Sequence, residues 1–286
     1  MSSLPGRRSP ACPGSSPVSQ QTTDPPDQTA DSGPDLARFD RLNTSPAWQV
    51  VAESLRRRIA LGLYRPGDLL PSERQLAEGM GVSRITVREA LRVLQGEQLI
   101  EARGSGAGGA RVRVPRSRPD ADARAEVRRE RARFVHIIDC RMANECLAAR
   151  LAAAVRTKAH LDVLEETIVA MDAASRSLDE PHDSVEDAET ARQAAVGEFR
   201  RQDSVFHLTI ATIPANPYLF RTVEWLRSEF FTPLDLIHRS RNIQDSVGEH
   251  REILAAIRRH DGRTAEASMR QHLESTRLSL DELLKP

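Results

Sequence analysis

The stretch RPGDLLPSERQLAEGMGVSRITVREALRVLQGEQLI, from Arg65 to Ile100, constrains the fold more than any other part of this chain. Pro66-Gly67 turns the chain, and Ser72 then offers a hydroxyl to cap a helix, with Gln75 at the capping-box position. Met80-Gly81 breaks that helix. Ser83 opens another that runs to about Glu97, with Val87, Leu91 and Leu94 as an inward stripe at helical spacing. Upstream, Ser45-Pro46 supplies a cap and first-turn proline for a helix reaching about Leu61. Downstream, Ile100–Arg103 and Arg111–Val114 read as two strands joined by a glycine-rich tip. Helices about a tight turn with a hairpin behind them make a winged helix-turn-helix over residues 46–114.

The outward face of the Ser83 helix presents Arg84 and Arg88, with Thr86 beside them and Arg92 one turn on. A recognition helix lies in the major groove with its first residues nearest the base edges. An arginine fork suits guanine O6 and N7, and hydroxyls suit phosphates or bases. Arg74, on the preceding helix, is placed to hold backbone or a base at the groove edge, and the glycines near Gly104 would let a wing approach the minor groove. A charged helical face is most often just a solvated one. Here the charge distribution argues for double-stranded DNA: residues 46–114 hold 11 arginines against 7 acids, although the whole chain has a net charge of zero.

Residues 1–45 are rich in Pro, Ser, Thr, Asp and Gln, cannot bury enough apolar surface to offset ordering, and read as a disordered tail. Residues 115–120 read as a hinge. From 121 to 284 the pattern is helical, in segments near 121–154, 157–177, 185–213, 216–239, 244–260 and 262–284. The expected fold is therefore mainly α, an N-terminal winged helix-turn-helix followed by an all-α helical bundle. Cys12, Cys140 and Cys146 have no disulfide or metal spacing and are expected as reduced thiols in a cytoplasmic protein. No run approaches the roughly 20 apolar residues of a membrane span.

PGDLLPSERQLAE followed by GVSRITVREALRVL resembles the signature of GntR-type bacterial transcription regulators, over about residues 46–114. That resemblance implies DNA contacts from Arg74, Ser83, Arg84, Thr86, Arg88 and Gly104. Gln98 departs from it, standing where a glycine customarily precedes the Leu-Ile pair, and the wing tip is unusually rich in glycine.

The bundle carries titratable residues at inward positions. Asp203 and His207 share a helical face with Phe206 and Ile210. His250 begins a face continued by Ile253, Leu254 and Ile257, and His272 shares a stripe with Met269 and Leu273. Each alone reads as a hydrogen-bonded core or surface residue. Together, three imidazoles and a carboxylate inside a bundle suit a divalent metal such as zinc or nickel, with positions open to water or ligand. The segments DSVFHLTIATIPANPYL, EHREILAAI and MRQHL resemble the helical FCD ligand-binding domain of the FadR branch of the same regulators, over about residues 120–284. That resemblance implies that Asp203, His207, His250 and His272 bind metal. Arg141 and Glu145 read as a plain i, i+4 helix ion pair, whereas the resemblance implies that Arg141 holds the carboxylate of a small organic acid effector.

Three functions fit these residues. The first is a homodimeric transcription regulator, a repressor on a palindromic operator, whose DNA affinity is shifted by a small carboxylate at or near the metal. The second is a regulator whose effector is the ion itself. The third is a metalloenzyme acting on a small organic acid, against which stand the attached DNA reader and the lack of an evident general acid or base beside the ligands.

Overall fold

Helix-start residues decide where most elements begin. The computed structural model describes residues 45–102, 109–113, 128–178, 184–234 and 240–283, together with 125, 180 and 181. The first three helices are α1 (Ala47–Ala60), α2 (Glu73–Met80) and α3 (Arg84–Gly96), followed by β1 (Ile100–Ala102) and β2 (Ala110–Val112). The cap expected at Ser45 falls instead on Pro46, which has no side-chain acceptor; its carbonyl takes the Gln49 amide at 2.9 Å. Ser72 forms the full capping box with Gln75, as its position required.

β1 pairs antiparallel with β2, Ile100 opposite Val112. The other edge of β2 is taken by residues 67–70, a pairing the sequence did not reveal. Gly67 N–H donates to Val112 O, Val112 N–H to Asp68 O, and Leu70 N–H to Ala110 O. The wing is thus fastened from both sides, over a core of Val51, Leu55, Val87, Leu94, Ile100 and Val112. Gly104, the hinge and, but for Ser45, the N-terminal tail lie outside the described residues.

α3 ends in a Schellman turn: Leu99 N–H returns to Leu94 O and Gln98 N–H to Gln95 O, both at 3.0 Å. This closure places Gln98 in the left-handed region at φ 63, which explains the customary glycine. Gln98→Gly is expected to raise stability by about 1 kcal/mol, seen as a higher urea midpoint at unchanged slope. An unchanged midpoint would mean that the Gln98 side-chain bonds to Gln95 and Arg113 offset the strain.

The bundle comprises α4 (Arg131–Val155), α5 (Lys158–Ser177), α6 (Val185–Thr212), α7 (Pro217–Leu234), α8 (Ser240–Arg258) and α9 (Gly262–Leu283). Thr157 caps α5 and Ser184 caps α6. Asn216 Oδ1 accepts the Tyr218 and Leu219 amides at 3.1 and 3.2 Å, leaving Pro217 where its missing N–H is harmless. α7 is described as far as Leu234, and the expected continuation to 239 lies outside the described residues. α4 packs on α9 and α7, and α5 on α6, around Phe134, Ile138, Leu164, Phe206, Ile257 and Met269. At Gly262 a Cβ would lie 3.0 Å from Arg150 O, so a larger residue would push α9 and α4 apart by a few tenths of an ångström. Residues 45–286 form one compact unit, and Leu61, just past α1, is buried in the core of the bundle.

Candidate nucleic-acid interface and metal centre

Gly81, left-handed at φ 66, ends α2 and lets the chain turn directly into α3. Ser83 Oγ accepts the Thr86 amide at 3.1 Å and lies 2.8 Å from Thr86 Oγ1, so these two hydroxyls are tied together across the first turn. Arg84 and Arg88 stand exposed on that face. Glu73 of α2 grips Arg88 with both oxygens, Nε at 3.1 Å and Nη2 at 2.8 Å, and lies 3.9 Å from Arg84. The Arg88 bond holds the Glu73 carboxyl below its ordinary value. Arg74 pairs with Glu78 at 3.2 Å on the outer side of α2. Glu73, Arg74, Arg84, Arg88 and Arg92 line a groove of about 590 Å³ bordered by both helices and the wing. Ile85, 71% exposed on the first turn of α3, adds an apolar group of the kind that packs on a thymine methyl.

In the bundle, Asp203 and His207 of α6, His250 of α8 and His272 of α9 converge, all buried, with one ligand atom from each within 4.8 Å of the others. His207 Nε2 lies 3.2 Å from His250 Nε2, and Asp203 Oδ1 lies 3.1 Å from His250 Nε2 and 3.6 Å from His207 Nε2. Two nitrogens each about 2.0–2.1 Å from one zinc ion stand roughly 3.0–3.4 Å apart, so the spacing fits adjacent corners of a coordination shell.

The outer contacts test that fit. His250 Nδ1 lies 2.6 Å from Ser246 O, and a carbonyl can only accept, so the neutral ring carries its proton on Nδ1 and leaves Nε2 bare. His272 Nδ1 faces Glu249 Oε2 at 2.8 Å in the same manner. His207 Nδ1 is 2.6 Å from Glu145 Oε2, off the ideal line for a hydrogen bond but close enough to bias its proton to that side. With those tautomers the Nε2 atoms of His207 and His250 and Asp203 Oδ1 face one another as acceptors. A divalent cation would satisfy these facing acceptors, and imidazoles oriented by carboxylates and a carbonyl are what bound metals use.

A charge network surrounds the cluster. Arg227 of α7, wholly buried, donates to Asp203 Oδ2 and, at 3.2 Å, to Glu145 Oε2. Arg141 Nε donates to Glu145 Oε1 at 2.6 Å, and its guanidinium lies 4.8 Å from the centre of the Phe230 ring. Burial alone would raise the Asp203 and Glu145 carboxyls; Arg227 for the first, and Arg141 with Arg227 for the second, outweigh it and hold both well below the usual range. Burial pushes His207 down to about 3 and also lowers His272. Against Asp203 and His272 opens a cavity of about 330 Å³, walled further by Arg141, Arg200, Phe230, Glu249 and the hydroxyls of Ser246, Ser275 and Ser279. That volume suits a small organic acid.

The sequence matches the family model described as bacterial regulatory proteins, gntR family, over residues 48–109, and the FCD domain over residues 136–275. The Glc operon transcriptional activator of Escherichia coli (strain K12) is 30% identical over 245 residues, covering 83% of this chain and 90% of that protein. The HTH-type transcriptional repressor NanR of Escherichia coli (strain K12) is 31% identical over 264 residues, covering 87% of this chain and 90% of that protein. The chain belongs to the GntR family. This GntR regulator is a DNA-binding transcription regulator with a C-terminal FCD domain, and its relatives are regulators rather than enzymes. Among solved structures, E. coli McbR/YncC aligns with a TM-score of 0.47 at 18% identity, over 84% of this chain and 100% of that one. Among the described residues no helix is long and apolar enough to cross a membrane.

In this GntR regulator the four residues expected around a metal do come together, and Arg141 does reach the cavity. The Arg141–Glu145 pair is more than the plain helix ion pair that spacing suggested: both side chains are about 2% exposed and tied into the network. Sequence reasoning missed Glu73, Arg227, Glu249 and Ser246. Glu73 meets Arg88 from 15 residues away on another helix, which no local spacing announces. Arg227 had a signal, since it stands beside the buried stripe of Leu219, Val223, Leu226 and Phe230. His160 shares the α5 capping box, and His260 Nδ1 lies 2.8 Å from Ala153 O, ordinary structural positions.

Proposed function

We propose that this GntR regulator acts in the cytoplasm as a homodimeric repressor whose operator affinity is set by a small carboxylate bound beside a divalent metal, zinc or nickel. The observation that carries the reading is the set of Nε2 atoms and Asp203 facing one another as acceptors, next to an arginine-walled cavity. Asp203, His207, His250 and His272 would hold the ion, which supplies a Lewis-acidic anchor for a carboxylate. Arg141 would take part of the ligand's charge, while Phe230 and the bundle core exclude water from one side. Arg74, Ser83, Arg84, Thr86, Arg88 and Gly104 would contact a palindromic duplex, with Glu73 fixing the Arg88 fork before DNA arrives. A pre-set fork loses less rotamer freedom on binding a guanine.

Fluorescence anisotropy with the regulator's own upstream DNA tests this. Binding should be sequence-selective and weaken steeply with salt. Arg88→Ala should cost about 1–3 kcal/mol, roughly 5–150-fold in affinity, on that duplex and far less on random duplex. Equal loss on both would demote Arg88 to a phosphate contact. Adding zinc with small carboxylates should release the DNA, and chelation alone releasing it, with no carboxylate effect, would favour the ion itself as effector.

A further inference from the structure

We propose that Arg200 is the residue through which the contents of the cavity reach the DNA-reading domain, a step that rests on the carboxylate reading above. Arg200 lies on α6 one turn before Asp203 and forms part of the cavity wall. Its Nη2 also donates at 2.9 Å to the main-chain oxygen of Ile59, in the last turn of α1. Gly62, left-handed at φ 71, sits against the same side chain, where a Cβ would fall 3.3 Å from Arg200 Nε. α1 in turn packs on α3, the helix that carries Arg84 and Arg88. Arg200 therefore borders the cavity and also bonds the support of the recognition helix.

The chemistry makes that contact switchable. A carboxylate is a charged acceptor that can take a guanidinium through two parallel bonds, which a single main-chain carbonyl cannot offer. An anion in the cavity thus draws Arg200 away from Ile59. Release leaves no orphaned acceptor, because Ile59 O also takes the Gly62 amide at 2.9 Å. The ion pairs across the same junction, Arg65–Glu198 at 2.9 Å and Arg57–Glu224 at 3.9 Å, are solvent-accessible and add little. Withdrawal of Arg200 leaves the α1 end held by Leu61, Leu63 and the packing of α1 on α7, and the reader gains freedom to change its angle.

Hydrogen–deuterium exchange on the full chain tests the proposal, with saturating zinc and acetate, the group every carboxylate ligand shares, as the probe. In the native protein, amides 246–250 and 272–279 should become protected while amides 59–63 exchange about fivefold faster or more. Arg200→Gln should need more acetate for the first response and, once saturated, lose the second, and Arg200→Lys, which keeps charge and reach, should restore part of it. A response at 59–63 that persists in Arg200→Gln overturns the proposal. So does a native protein in which the cavity walls respond and 59–63 do not. No response at the cavity walls sinks the carboxylate reading itself, and this step with it.

Discussion

Replacing Arg227 with methionine is expected to cost the metal-free protein about 3–5 kcal/mol, measured by urea unfolding in the presence of a chelator. Methionine keeps most of the volume and removes the charge. Asp203 and Glu145 would then lose their shared partner inside the bundle, where neither can recover it from water. Zinc should return part of the loss, because an ion at Asp203 Oδ1 re-pairs one of the two carboxylates. A loss under about 1 kcal/mol would show that the carboxylates do not depend on Arg227. The pH dependence has a definite sign. Asp203 and Glu145 are held below their unfolded values of 3.8 and 4.5, so their stabilisation is present above those values and fades as pH falls through the folded ones. His207 acts in the same direction, since the unfolded chain takes up a proton near 6.5 and the native ring only near 3. The metal-free native protein should therefore lose stability progressively below about pH 6.5, and the carboxylate part of that slope should flatten in Arg227→Met.

Zinc at 100 times its dissociation constant should raise the stability of the native protein by about 2.7 kcal/mol, because the site exists only in the folded chain. For a protein of this size that corresponds to a melting shift of roughly 5–10 °C, read by thermal unfolding with and without chelator. His250→Ala should abolish the shift, since His250 Nε2 lies closest to both Asp203 and His207. Glu249→Gln should retain a smaller shift with affinity lowered about 10–100-fold, because it disturbs only the orientation of His272. A zinc shift of undiminished size in His250→Ala would remove this cluster as the binding site.

How far these features were legible depends on the range of the interaction that makes them. The capping box at Ser72 and the inward stripe of α3 involve neighbours within one or two turns, so their residue types sufficed. Asp203 and His207 were visible as a pair for the same reason, and helical phase pointed His250 and His272 inward. Gln98 was visible as an oddity and became intelligible once its φ of 63 was known. Other features had no local trace. The 67–70 segment pairs with β2 some 40 residues later in the chain, and Glu73 meets Arg88 across two helices.

The sequence by itself determined a mainly helical chain, a basic winged reader and four metal-competent side chains, because periodicity, caps and charge type are local properties. Only the tertiary structure decided that the four meet within 4.8 Å, that Arg141–Glu145 is buried and not a surface pair, and that Arg227 completes their network. It also decided that Arg200 spans from cavity to reader. These depend on which helices pack together and at what depth. Burial turns a weak ion pair into one that cannot be broken cheaply, and spacing along the chain does not encode depth.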